Sequence, residues 1–206
     1  SGLKSYLLRN ILKSKKGKLK VSLFQPLTIL EIEASHKNKG SLERIKEAKV
    51  YHSYQTLHTQ IVKTSMTIFI AEILANTINE EAEDAQLFGF IKESLLWLDQ
   101  SARTSNFHIL FLLKLSMYLG FYPDTDTEQK PYFNLMEGVF QDFNTGKYSE
   151  RSQRTAKLKE FFGIDFDKSN DIKLTKNQRS DLLALLLQCY QLHLHGFKKP
   201  KSLVVL

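Results

Sequence analysis

The feature that most constrains the fold is a change in apolar spacing near Thr59. Before it, apolar residues come in short runs that partly alternate with polar ones, the period of a half-buried strand. After it they recur at three- and four-residue steps over long stretches, the period of a helix with one buried face. Strands followed by helices point to an α+β fold. We place the division at residues 1–50, a barrel-like β region, and 51–206, a mainly α-helical domain.

In the first part, Ser5–Leu12, Leu19–Leu23, the run from Leu27 to Glu33 and Leu42–Tyr51 are the expected strands, the last also readable as a short helix. Pro26 cannot donate to a ladder, so it ends the second strand or sits at an edge. Four such strands suggest a small antiparallel barrel but are too few to close one. The earlier strands of such a barrel are expected to precede residue 1.

In the second part, Ile61, Ser65, Ile68, Phe69, Glu72, Ile73 and Leu74 predict a helix running to Ile78, and Leu87, Phe88, Ile91, Leu95 and Leu98 another over Ala85–Gln100. A third follows Asn106, a good N-cap type, and stops at Gly120. It is leucine-heavy all round and reads as the centre of a bundle. Residues 132–143 read as a β-hairpin insert turning at Glu137-Gly138. A basic helix over Ser149–Phe162 follows, then a last helix opening on Thr175 with Gln178 at the capping-box spacing.

Catalytic signatures do not emerge. Gly146-Lys147 fails the phosphate-loop pattern, with Gln141 at the first glycine position and Tyr148 after the lysine. His193 and His195, two apart on a helix, point to different faces and read as a helix-terminal pair near the negative end of the dipole. His36, His52, His58 and His108 show no partner pattern. Glu80, Glu81, Glu83 and Asp84 read as an exposed helix connection, or as a docking patch. Cys189 is the single cysteine of 206 residues, which excludes an internal disulfide, and its apolar helix makes it core. No stretch approaches the length of an apolar membrane span and no secretory leader pattern is present, so a cytoplasmic protein is expected.

Charge is where the sequence speaks loudest. Residues 1–49 carry twelve basic residues against four acidic ones, a net of +8, while the remainder carries 17 against 18. Arg9, Lys13, Lys15, Lys16, Lys18 and Lys20 lie within twelve residues, followed by Lys37, Lys39, Arg44, Lys46 and Lys49. Lysines that neutralise phosphates release counterions, giving tight, salt-sensitive, sequence-independent binding of nucleic acid. Tyr6, Phe24, Tyr51 and Tyr54 lie alongside, and aromatics between cations can stack the bases of single strands. The open alternatives are a solvated basic face and, for the aromatics, core packing. Lys147, Arg151, Arg154, Lys157 and Lys159 form a second basic set, candidate contacts for DNA or an acidic protein, or simply a solvated helix face.

Several blocks in order resemble one family. Ser22-Leu23-Phe24-Gln25-Pro26-Leu27 with Glu31-Ile32-Glu33, Leu42 to Ala48, Asn106-Phe107-His108, and Leu112-Leu113-Lys114 through Tyr118-Leu119-Gly120-Phe121-Tyr122-Pro123 are similar to the RecO proteins of the Bacteroidetes. So is Tyr190 to Phe197 with Lys201-Ser202-Leu203. The resemblance implies an oligonucleotide-binding (OB-fold) barrel, of which 1–50 is the C-terminal part, and a non-enzymatic mediator of recombinational DNA repair that needs no cofactor. It implies single- and double-stranded DNA as partners, with RecR, in many bacteria RecF, and the acidic C-terminal tail of single-strand binding protein (SSB). It further implies annealing of complementary strands and help in loading RecA. Many members carry a four-cysteine zinc module after the Gly-Phe-x-Pro block. Residues 122–148 hold no cysteine, so no metal is expected and Tyr132, Phe133, Leu135, Val139 and Phe140 must hold the hairpin. Two other classes stay open. A protein-interaction scaffold would use its basic patch for an acidic partner. A metal-dependent nuclease would need clustered carboxylates, and Glu31, Glu33, Glu43 and Glu47 are the only acids near the basic segment.

Overall fold

The structure is a computed structural model that describes residues 4–8, 11, 19–36, 42–78 and 83–205. Two compact units emerge, residues 1–100 with 204–206, and residues 101–203. The boundary drawn from periodicity at residue 50 falls inside the first of them.

In the first unit, β1 (Leu30–Ser35) pairs antiparallel with β2 (Arg44–Val50), with a register shift between Glu33 and Ala34. An isolated parallel bridge joins Tyr6 to Glu43, with Leu7 N–H donating to Glu43 O at 2.9 Å. This is what the described residues show of the expected β region. Leu19–Leu23 is not a strand: Val21–Phe24 forms a 3-10 turn. No strand among the described residues pairs with it, and a local turn satisfies amides that a ladder would otherwise have to. Leu27 adopts a left-handed backbone, φ 59°, strained for a side chain of this size. It is held there by Tyr54, whose hydroxyl donates to Leu27 O at 3.1 Å, and His58 Nε2 lies 3.0 Å from Pro26 O.

Helices α1 (Ile61–Thr77) and α2 (Ala85–Gln100) follow at the expected places. Asp84, read as part of an exposed acidic connection, is a cap: its carboxylate accepts from Leu87 N at 2.8 Å, which satisfies an orphan amide and faces the positive end of the helix dipole. Asp99, near the C-terminus of α2, ties the two helices to the chain before them. Its carboxylate accepts backbone N–H from Gln55, Thr56 and Leu57 at 2.8–2.9 Å. Buried Lys63 of α1 donates to Asp99 O and to the Thr56 hydroxyl, each at 2.7 Å.

The second unit is built on α3 (Phe107–Tyr118), where Phe107 through Leu113 are all buried. Gly120, φ 82°, ends the element in the left-handed conformation that stops a helix. Asn106 does not cap α3 with its side chain. Its amide donates instead to Ser169 O and Ile172 O at 2.8 and 3.0 Å, and its oxygen accepts from Arg179 Nε at 3.3 Å. It is a tether to a short helix, Phe166–Ser169, that periodicity misses. Strands β3 (Tyr132–Asn134), β4 (Val139–Gln141) and β5 (Ser149–Glu150) form a sheet of order β4-β3-β5. The expected hairpin is its β3–β4 part, closed by Gly138 at φ 69° and held by the buried Phe133–Phe140 pair, ring centres 4.7 Å apart. The basic helix, α4 (Gln153–Lys159), is shorter than expected because Ser149 and Glu150 belong to β5 and Ser152 begins it with a capping box. We number the short Phe166–Ser169 helix α5. The last helix, α6 (Lys176–His193), opens on Thr175 with the predicted Gln178 box. Its Tyr190 hydroxyl donates to Leu112 O at 2.8 Å, tying it to α3.

Candidate nucleic-acid interface

Of the ten basic residues expected to hold DNA, seven lie outside the described residues: Arg9, Lys13, Lys15, Lys16, Lys18, Lys37 and Lys39. Lys20 is exposed beside the 3-10 turn, and Arg44 and Lys46 are exposed on β2. Alternation along a strand sends residues two apart to one face, so Arg44 and Lys46 share a face. Lys46 is partly committed, with its Nζ 3.1 Å from Glu33 Oε1 across the β1–β2 pair. Lys49 sits 3.5 Å from Glu47. Both pairs are solvent-exposed, where an ion pair contributes about 0–1 kcal/mol and a phosphate can displace the carboxylate.

The expected aromatics separate by exposure. Tyr54 is half-buried between His52 and His58, with edge-on ring contacts at 5.4 Å on each side. Burial, and then the nearby Asp99 charge, push its phenol well above the ordinary range. Tyr6 is half-buried with its hydroxyl 2.8 Å from His36 Nε2. Phe24 is half-buried in the turn. Tyr51 alone of the four is exposed, and Lys92 Nζ lies over its ring at 5.0 Å. Sequence reasoning missed Lys92; the spacing that could have found it is Phe88 to Lys92, one turn apart on α2.

In the second unit the basic set divides as well. Arg154 is clamped by Glu150, Nε to Oε1 at 2.8 Å and Nη2 to Oε2 at 2.5 Å. For Glu150, burial raises the carboxyl, but hydrogen bonds from Arg154 and Ser152 outweigh it and hold the group below its usual range. Lys159 donates to Lys130 O at 2.9 Å and lies 4.4 Å over the Phe140 ring. Lys157 pairs with Glu160 at 2.7 Å. Arg154 and Lys159 are thus held by partners within the unit, while the Lys157–Glu160 pair spans only the last turn of α4. Lys147 sits 5.2 Å over Tyr148, and both it and Arg151 are exposed, which leaves them as the members of the set facing solvent.

The histidines also acquire places. His193 Nε2 lies 2.9 Å from Leu135 O and its ring stacks on Phe121 at 4.9 Å, so it joins α6 to the sheet rather than pairing with His195. His108 is buried, and burial, then the Arg179 charge, lower its pKa to about 3. Among α3, α6 and the sheet lies a cavity of about 10 Å³ lined by Leu113, Phe133, Leu186 and Tyr190. That is room for a single water and not for a peptide side chain. No cluster of three or more potential metal-ligating side chains occurs among the described residues. Nor is any helix among them long and apolar enough to cross a membrane.

Helices with small antiparallel sheets make this a mixed α/β chain, and comparison with known sequences gives its family. Residues 58–203 match the family model described as "Recombination protein O C terminal". The chain is 47% identical to the DNA repair protein RecO of Christiangramia forsetii over 205 residues, covering all of this chain and 86% of that protein. It is 45% identical to that of Flavobacterium psychrophilum and 44% to that of Flavobacterium johnsoniae, with the same coverage. The chain belongs to the RecO family of DNA repair proteins.

Proposed function

We propose that the chain is a DNA-binding mediator of recombinational repair without catalytic activity of its own. The observation that carries this reading is the confinement of the charge excess to residues 1–49, +8 against −1 elsewhere, in a member of a DNA repair family. In this reading residues 1–50 are the C-terminal part of an OB-fold barrel. Its lysines hold the phosphate backbone of single- or double-stranded DNA with little base readout. Residues 51–206 offer the helical surface to protein partners, RecR, in many bacteria RecF, and the acidic tail of SSB, with Lys147, Arg151, Arg154, Lys157 and Lys159 as contacts for an acidic tail or DNA, of which Lys147 and Arg151 are exposed. The protein then anneals complementary strands coated with SSB and assists RecA loading.

The experiment is annealing of complementary oligonucleotides coated with SSB. The protein should speed annealing, lose that effect as salt rises, and leave both strands uncut in Mg²⁺. Labelled fragments appearing in Mg²⁺ would reinstate the nuclease reading. A second, scaffold reading draws support from the Lys46–Glu33 and Lys49–Glu47 pairs, which neutralise part of the basic surface internally. It predicts weak DNA binding with a shallow salt dependence.

A further inference from the structure

Where β2 ends, the chain places an aromatic ring in the open and keeps it there. Tyr51 follows Val50, and its N–H still donates to Ile29 O at 2.9 Å, so its backbone is fixed by the β1–β2 pair. Tyr51 is 61% exposed. Over it, Lys92 of α2 reaches to 5.0 Å from the ring centre. Phe88 stands four residues before Lys92, one turn away on the same helix face, and is also 61% exposed. Leaving a phenylalanine in water forgoes the free energy that burial supplies, and it has no polar group for water to satisfy. Among the described residues Lys92 makes no ion pair, and the contact that holds it is the Tyr51 ring.

Two exposed rings beside a cation that already rests on one of them match the chemistry of single-stranded nucleic acid, in which unpaired bases stack on aromatics while the backbone phosphates seek cations. A duplex offers only its backbone, because its bases already stack on one another. Tyr51 directly follows the strand that carries Arg44, Lys46 and Lys49, so a strand tracking those cations passes the ring next. We propose that Tyr51, Lys92 and Phe88 form a base-stacking platform that makes this unit prefer single-stranded over double-stranded nucleic acid. The inference rests on the DNA-binding reading above and deepens it.

The test measures affinity of the full chain for a single-stranded oligothymidylate and for a duplex of equal length, across a salt series. Substituting Tyr51→Ala with Phe88→Ala should weaken single-strand binding by about 5- to 150-fold for each stack lost. The salt slope should not change, because no phosphate contact is removed, and duplex affinity should hold. Tyr51→Phe, which keeps the ring, should bind like the unaltered protein. Lys92→Ala should reduce the slope by about 0.7. Photocrosslinking with iodouracil-substituted DNA should attach to Tyr51 or Phe88 in the unaltered protein, a readout independent of whether any variant folds. If the double variant melts and binds as before, or loses single strand and duplex equally, the platform is refuted while the DNA-binding reading stands. Crosslinks mapping wholly elsewhere refute it as well. Loss of binding to an acidic, aromatic peptide with DNA binding intact would make the face a protein site and overturn the proposal. If the unaltered protein binds neither DNA, both readings fall together.

Discussion

Replacing Asp99 with alanine should unravel the junction on which the first unit depends. Oδ1 accepts N–H from Thr56 and Leu57 at 2.8 Å and the Thr56 hydroxyl at 3.1 Å, and Oδ2 accepts N–H from Gln55 at 2.9 Å. The Thr56 hydroxyl also contacts Asp99 O. Asp99, Lys63 and Leu57 are all buried. Hydrogen bonds to a charged acceptor contribute about 1.5–3 kcal/mol each, and a buried donor left unmet costs a further share. Gln55 is exposed, so water replaces its bond, and Lys63 would be left buried without a nearby counter-charge. We take about 3–5 kcal/mol for Asp99→Ala and about half that for Asp99→Asn, which keeps the shape but turns an amide NH₂ toward an N–H donor. At about 4–8 °C per kcal/mol for a unit of this size, the alanine variant should melt at least ~12 °C lower. Burial raises the Asp99 carboxyl, but the three backbone N–H groups and the Thr56 hydroxyl outweigh it and hold the group below its usual range. Its contribution is therefore present above about pH 4, the unfolded value, and is lost as pH falls through the depressed folded value. Thermal melts by circular dichroism at pH 7 and urea denaturation of both variants are the assay. A cost under about 1 kcal/mol for Asp99→Ala would refute the accounting.

His108 should make stability depend on pH. Its folded pKa, lowered to about 3, lies below the unfolded value of about 6.5, so stability is full above pH 6.5 and is lost on acidification, about 2 kcal/mol by pH 5. Urea denaturation at the two pH values should show that loss in the unaltered protein and a smaller one in His108→Gln. Cys189, whose thiol burial pushes up to about 12, should resist thiol reagents at neutral pH until the protein unfolds, as a spectrophotometric thiol titration with and without denaturant would register. Lys159→Ala should cost about 1 kcal/mol in a thermal melt, through its lost contacts to Phe140 and Lys130 O, and leave DNA affinity unchanged. Arg151→Glu should show the opposite pattern if the second unit meets DNA.

The helices were legible because their apolar period is strong and their ends carry chemistry: Thr175 with Gln178 and Gly120 sit where capping rules put them. Other positions show where local rules lose to tertiary ones. Asn106 has the right type to cap α3, yet its amide serves the Phe166–Ser169 helix, a long-range demand that no local pattern reveals. Leu19–Leu23 has strand composition, but strand residues need partners and the described residues provide none there. Charge was legible as a quantity and not as an arrangement. Arg154 and Lys159 read as candidate contacts or a solvated helix face, and their contacts to Glu150 and to Lys130 O are tertiary facts that charge alone does not reveal. The Phe88-to-Lys92 spacing marks one helix face, but that Lys92 rests on Tyr51, forty-one residues earlier, is a tertiary fact no spacing carries.

Whether the basic segment of the first unit holds DNA by its phosphates is tested most directly by single-strand affinity across a salt series. Each phosphate contact to a single strand contributes about 0.7 to the slope of log affinity against log salt. Changing Lys13, Lys15, Lys16 and Lys18 to Glu should weaken binding and flatten that slope by about 3. Equal affinity and slope in the two proteins would make the segment a solvated face and contradict the account.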